Sequence, residues 1–213
     1  MTPKQTALKL QAEQVIKNME KRHFEAFYCA TREEALSQAL SLIEKGSVVA
    51  SGGSMSIQEI GLLNYIKEHK EDYTYIDRSL AKNPQESREI HAKAVLSDYY
   101  LMSSNAFTTD GQLVNIDGNG NRVSNLCYGP KHVIVVVGMN KMVPSVEAAF
   151  ERIHREACPP NCIRLNVDSP CAKTGFCMDC MSTSSICASL VTTRLSRDPD
   201  RIKVILVGEE LGF

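Results

Sequence analysis

Between Thr6 and Glu20 the apolar residues Leu8, Ala12, Val15, Ile16 and Met19 recur at three- and four-residue intervals, which predicts an amphipathic helix. Phe24 to Cys29 then reads as a short strand. Thr31 and Glu34 form a capping box ahead of Ala35, Leu36, Ala39, Leu40 and Ile43, and Gly46 is the expected C-terminal stop. Ser47 to Ala50 is an apolar strand, broken by Ser51-Gly52-Gly53-Ser54 before a helical series Ile57, Ile60, Leu63, Ile66. Tyr73 to Ile76 is the next strand. Asn83-Pro84 supplies an N-cap followed by proline at the first helical position, for a helix ending near Ser97. Tyr99 to Met102 is strand-like, and Asp110-Gly111 between Phe107 and Leu113 marks a hairpin. His132 to Val137 is an unbroken, largely β-branched apolar run, the pattern of a strand buried on both faces, and Pro144 opens a helix over Val146 to Arg155. Lys203 to Val207 closes the series. Strands alternating with helices in this way specify an α/β protein with a mostly parallel central sheet flanked by helices.

From Cys158 to Asp200 the periodicity fades into Cys, Pro, Ser and Thr, so this segment is expected to be loop-rich and organised by something other than a core. Length permits little more than one domain: at 213 residues the chain divides into an N-terminal helix and connector over 1–30 and an α/β domain over 31–213 that includes the cysteine-rich segment 158–187.

Composition narrows the function classes. Lys and Arg total 24 against 25 Asp and Glu, a formal charge of -1, so no excess of positive charge is available for a nucleic-acid backbone. The first 28 residues are charged throughout, and the longest apolar run falls far short of a bilayer span, so neither signal peptide nor membrane anchor is expected. Eight cysteines without an export signal point to a reducing, cytoplasmic compartment, where thiols pack, react or bind metal.

Six of the eight lie between residues 158 and 187. Cys171, Cys177, Cys180 and Cys187 follow the spacing C-x5-C-x2-C-x6-C, four soft ligands within 17 positions. Thiolates suit an iron-sulfur cluster, such as 4Fe-4S, and a tetrahedral zinc ion equally well, and spacing does not separate the two. The Pro-Pro step between Cys158 and Cys162 reads as an extended connection. Cys29 and Cys127 sit in apolar stretches as small buried hydrophobes.

Two other stretches carry candidate chemistry. Ser51, Gly52, Gly53, Ser54 and Met55 place backbone N–H groups where a strand hands over to a helix, a position suited to an anion as well as to a plain tight turn. Asn105, Thr108, Asp117, Asn121 and Arg122 fall in a polar stretch rich in turn residues. Arg122 and Lys141 are either surface cations or the positive charge of a ligand site at the carboxyl edge of the sheet. None of the five histidines falls into a recognisable catalytic triad, and no GxSxG or HExxH motif occurs.

The runs Ser104-Asn105-Ala106-Phe107-Thr108-Thr109-Asp110-Gly111-Gln112-Leu113-Val114-Asn115-Ile116-Asp117, Gly120-Asn121-Arg122-Val123 and Val137-Gly138-Met139-Asn140-Lys141 resemble the lactate-utilisation (LUD) domain family. So do Pro170-Cys171-Ala172-Lys173-Thr174-Gly175-Phe176-Cys177-Met178-Asp179-Cys180 and the ending Gly208-Glu209-Glu210-Leu211-Gly212-Phe213, for a resemblance running from about Thr31 to Phe213. The resemblance implies a fold related to ribose-5-phosphate isomerase, glucosamine-phosphate isomerase and coenzyme A transferases, with Ser51 to Met55 as its anion-binding turn. It also implies a role in bacterial L-lactate oxidation to pyruvate beside iron-sulfur oxidoreductase subunits. The glutamate nucleophile of coenzyme A transferases has no counterpart here, where the comparable stretch reads Ser104-Asn105-Ala106-Phe107.

The expected function is therefore an accessory component of 2-hydroxy-acid oxidation with an iron-sulfur cluster on the four C-terminal cysteines. The alternatives are an enzyme acting on a small anionic metabolite with a structural zinc, or a ligand-binding module without turnover. A homodimer is expected, on the ground that the N-terminal helix needs a surface to cover its apolar stripe.

Overall fold

The computed structural model describes residues 2–213. The chain begins with α1 (Pro3–Glu20) and β1 (Glu25–Cys29), then α2 (Arg32–Ser41) and β2 (Val48–Ser51). Two short helices, α3 (Met55–Glu59) and α4 (Leu62–Glu68), precede β3 (Thr74–Ile76), α5 (Pro84–Val95) and β4 (Tyr99–Met102). Next come β5 (Ala106–Thr108), β6 (Leu113–Asp117), α6 (Asn121–Cys127), β7 (His132–Gly138) and β8 (Met142–Val143). The chain ends with α7 (Val146–Arg152), α8 (Cys158–Arg164), α9 (Pro170–Thr174), β9 (Ser189–Thr193) and β10 (Ile202–Val207).

Six strands form a parallel sheet in the order β1-β10-β7-β4-β2-β3. Its central strand explains why the apolar run is continuous. Along β7, Val133, Val135 and Val137 face one layer while Ile134 and Val136 face the other, so every position needs an apolar side chain. The first layer is closed by α1, α5 and α6 through Ala12, Val15, Met19, Ala94 and Leu126, the second by α2, α3 and α4 through Ala35, Ala39, Ile57, Leu62 and Ile66. The apolar stripe of α1 is thus covered by its own domain, which removes the reason given above for expecting a second subunit there. No helix among the described residues is long and apolar enough to cross a membrane.

A second sheet of four strands, β8-β5-β6-β9, stands at the end of the first. The expected hairpin forms between β5 and β6, with Thr108 bonded to both Asp110 and the Gln112 N–H across the turn. Its apolar face, Ala106, Val114 and Ile116, packs on Ala149, Ile153 and Ala157 of the α7–α8 rod.

The structure departs from expectation at six places. The helix read through Ile57, Ile60, Leu63 and Ile66 is split at Gly61, whose φ of 78° is open to glycine but strained for other residues. The α2 helix ends at Ser41, five residues before the glycine expected to stop it. The α6 helix was not foreseen, because its residues match turn composition. Segment 158–200 holds two helices and a strand, with β9 completing the second sheet along β6. Pro159 and Pro160 are helical rather than extended: they fall in the first turn of α8, where a missing N–H costs least, after a π-helical turn at Ile153–Ala157. Cys29 is buried as expected, whereas Cys127, at the end of α6, is exposed.

Candidate functional site

From β2 the chain runs outward to β3 and then returns to the other side of β2 as β4, so the strand order reverses between β2 and β4. In an open parallel sheet this parting of the loops leaves a crevice at the carboxyl ends of the strands. The protein has a polar cavity of about 210 Å³ there. Its walls come from successive strand exits: Gly53 to Ser56 after β2, Arg78 after β3, Ser103 to Asn105 after β4, and Lys141 after β7. The loop Asp117 to Arg122 and the residues Ala157, Cys158 and Asn161 close the far side.

Arg122 occupies the centre of this wall, but its donors face inward. Nη1 donates to the Ser103 carbonyl at 2.9 Å and to Asn115 Oδ1 at 2.6 Å, and Nη2 donates to Asn105 Oδ1 and the Ile116 carbonyl, both at 2.7 Å. Nε lies 3.7 Å from Asp117. A guanidinium has five N–H donors, and the protein takes four of them outright. Burial disfavours its charge, and the Asp117 carboxylate opposes that loss. The expectation that Arg122 clamps an anion is corrected accordingly: it ties the β4 exit to β6 and α6 and shapes the cavity. Gly52 belongs to the same packing, since a Cβ there would stand 3.1 Å from the Arg122 side chain and from the Tyr100 hydroxyl.

Asp117 is equally committed. Oδ1 accepts from the Asn119 and Gly120 N–H groups and Oδ2 from those of Arg122 and Val123, which caps the start of α6. Asn105 holds Ile116 N–H and Arg122 through one oxygen. Thr108 belongs to the hairpin turn and Ser51 bonds Tyr75, so neither lines the cavity. Gly53, Ser54, Met55, Asn105, Asp117, Asn121, Arg122 and Lys141 do line it. Ser54 caps α3 through the Ile57 N–H.

Lys141 is the polar group with least protein commitment. It is 4% exposed, and its Nζ has only the hydroxyls of Ser56 at 3.3 Å and Ser103 at 3.5 Å for company. No carboxylate forms an ion pair with it among the described residues. Burial lowers its pKa to about 7, assisted by the positive charges of Arg152 and Arg122 and opposed by Glu59. The chain end seals this corner. Gly212 donates its N–H to Glu59 at 2.8 Å, and a Cβ on Gly212 would come within 3.3 Å of the amine.

Sequence reasoning missed Ser56, Ser103, Arg78, Asn161 and Arg164, all of which line the cavity. The legible signal was positional: Ser56, Ser103 and Arg78 lie within a few residues of the carboxyl end of a parallel strand, the place where such folds bind ligands.

The cysteine segment is arranged differently from its spacing. Cys187 Sγ lies 3.4 Å from Cys158 Sγ, and the Cys162 thiol faces Cys171 and Ser169. Cys171 is buried and 3.3 Å from the Ser169 hydroxyl, Cys180 is half-buried, and Cys177 is exposed. The hydrogen bond from Cys158 pulls the Cys187 pKa down to about 7, while the same contact and burial push Cys158 up. Four thiols within one short segment match the donor chemistry of a soft metal or cluster. Their positions do not: among the described residues no three His, Cys, Asp or Glu side chains are gathered as a metal-holding group.

A parallel α/β sheet with a polar crevice at its reversal point defines the class of protein. The LUD domain family model matches residues 12–207, and the chain belongs to that family, which is associated with lactate utilisation. The match starts inside α1, earlier than the resemblance in the sequence suggested. The crystal structure of a DUF162 family protein from Deinococcus radiodurans is similar over 95% of this chain and 98% of that chain, with 16% identity and a TM-score of 0.51, a likeness of fold. No curated protein matches the chain.

Proposed function

We propose that this protein is an accessory component of L-lactate or related 2-hydroxy-acid oxidation to pyruvate, holding a small anionic metabolite in the crevice at the β2/β4 reversal. The observation that carries the reading is the cavity itself: a family member has a small polar pocket whose cations, Lys141 within and the exposed Arg78 and Arg164 at its wall, outnumber the single Asp117 carboxylate, which is already spent on α6. The polar, cation-bearing lining favours a short carboxylate.

The second part of the proposal is an iron-sulfur cluster for which Cys171, Cys177, Cys180 and Cys187 would be the ligands, beside iron-sulfur oxidoreductase subunits as partners. Support comes from the donor set and from the position of this segment, since Cys158 and Ile186 reach the cavity wall. A cluster would supply one-electron redox chemistry, and the role derived for the chain's own residues stops at binding. The gathering of Cys187 with Cys158 favours a second reading in which zinc or a cluster takes Cys158 as a ligand.

Thermal shift with L-lactate, glycolate and inorganic phosphate tests the pocket; a shift with the hydroxy acids that Lys141→Met abolishes is expected, and no shift with any of the three overturns it. Anaerobic purification with iron, sulfide and zinc assays tests the segment. Iron and sulfide lost in the Cys177→Ser, Cys180→Ser double variant and kept in Cys158→Ser is expected. A protein with neither iron nor zinc overturns the metal reading.

A further inference from the structure

Lys141 is the feature that the binding role alone leaves unexplained. An ammonium placed in a protein interior without a carboxylate carries an uncompensated charge, a cost that structural lysines avoid by pairing or by reaching water. Here no carboxylate pairs with the side chain among the described residues. It extends from the turn after β7 into the cavity wall between Ser56 and Ser103, 4% exposed. An anion alone would be served better by arginine, which keeps its charge and offers two aligned donors. A buried lysine differs from arginine in one chemical respect: it sheds its proton and becomes a nucleophilic amine.

We infer that Lys141 is a covalent carbonyl-binding residue, whose amine forms a reversible imine with a small 2-oxo acid seated in the crevice. The inference rests on the pocket reading above and names its substrate class more closely. The neutral amine adds to the ketone carbon to give a carbinolamine. Its hydroxyl then takes a proton and leaves as water, and the C=N bond forms with no net oxidation or reduction. Hydrolysis reverses the step. The hydroxyls of Ser56 and Ser103 flank the amine and are placed to hold the oxygen that departs. The acid's carboxylate is matched by the exposed Arg78 guanidinium, which stands beside Gly53 on the same wall. A cavity of about 210 Å³ has room for the shortest 2-oxo acids.

The groups facing the amine are Ser56 and Glu59 from α3, Ser103 after β4, Arg122 from α6, Arg152 from α7 and the backbone of Gly212. Burial is the leading cause that opposes protonation, the two guanidiniums add to it and Glu59 works against them. Imine formation is therefore expected near neutral pH, where an ordinary lysine is almost wholly protonated.

The test is reductive trapping on the full chain. The protein is treated at pH 7 with glyoxylate or pyruvate and sodium cyanoborohydride, and the modified peptide is mapped by mass spectrometry. The expected result is one secondary amine, on Lys141, exceeding the label on any other lysine by about ten-fold or more. L-lactate, which has no carbonyl, should protect Lys141 by competition. Label absent from Lys141, or spread evenly over surface lysines, overturns the inference. If L-lactate still gives a thermal shift in that case, the pocket reading survives and only the covalent step fails. The mapping needs no variant, so it does not depend on how a Lys141 substitution folds.

Discussion

Arg122 and Lys141 lie on one cavity wall and carry opposite lessons. The sequence left both as either surface cations or cations for a ligand, and the four strong hydrogen bonds of Arg122 make it a strut. Arg122→Ala removes those bonds and leaves the Ser103 and Ile116 carbonyls and the Asp117 carboxylate without their cation. The expected loss is about 3–5 kcal/mol of stability, the range for breaking a buried ionic contact, seen as a lower urea midpoint. Gly52→Val should lose stability as well, because its side chain would collide with the same guanidinium stem. For Lys141 the sign follows from linkage. Its folded pKa of about 7 lies below the unfolded value near 10.4, so between these the unfolded chain binds more protons and stability rises with pH. Below pH 7 the penalty of the buried charge is fully present. Lys141→Met should therefore stabilise the protein more at pH 6 than at pH 10, and denaturation at the two values measures the difference.

Among the elements, α1 and the β5–β6 hairpin form one unit. Ala12, Val15 and Met19 are buried in the first core layer beside Phe107 and Leu113 of the hairpin. At the end of the helix Arg22 donates to the Asp110 carbonyl and pairs with its carboxylate at 2.6 Å, while Asn18 donates to the Thr109 carbonyl. Met19→Ala is expected to cost about 2–5 kcal/mol by opening a cavity, whereas Asp110→Asn, at a half-exposed pair, should cost no more than about 1 kcal/mol. Equal losses from the two, measured by urea denaturation, would contradict this division between packing and charge. The α7–α8 rod belongs with the cysteine segment. Its π-helical turn directs Ala157 and Cys158 to the cavity, and Cys158 in turn meets Cys187.

Across the molecule, the six-stranded sheet gathers exits from β2, β3, β4 and β7, along with the terminal tail after β10, at one edge. The tail is fastened by Arg32–Glu209, by Leu211 N–H on Asn140 Oδ1 and by Gly212 N–H on Glu59. Glu59→Ala should loosen this seal and admit water to Lys141, raising its pKa through lost desolvation while losing a favourable charge; relief of desolvation is the larger effect, since burial is the leading cause of the depression. Trapping yield at pH 7 should fall in that variant.

Several features were legible because they are local. The Asn83-Pro84 start of α5, the Asp110-Gly111 turn and the doubly buried β7 each follow from a few adjacent residues and the period of their side chains. Chain composition in the same way marked Ser51 to Met55, the polar loop and Lys141 as chemically unusual, and several of these residues do meet in one cavity. Tertiary structure decided what each does. Whether a guanidinium is free or spent depends on carbonyls from Ser103 and Ile116, and whether Cys187 meets Cys180 or Cys158 depends on how a rod that carries Cys158, 29 residues upstream, is packed. Those partners are distant in the chain, and burial acts on a charge through everything around it, so no spacing between neighbours encodes them.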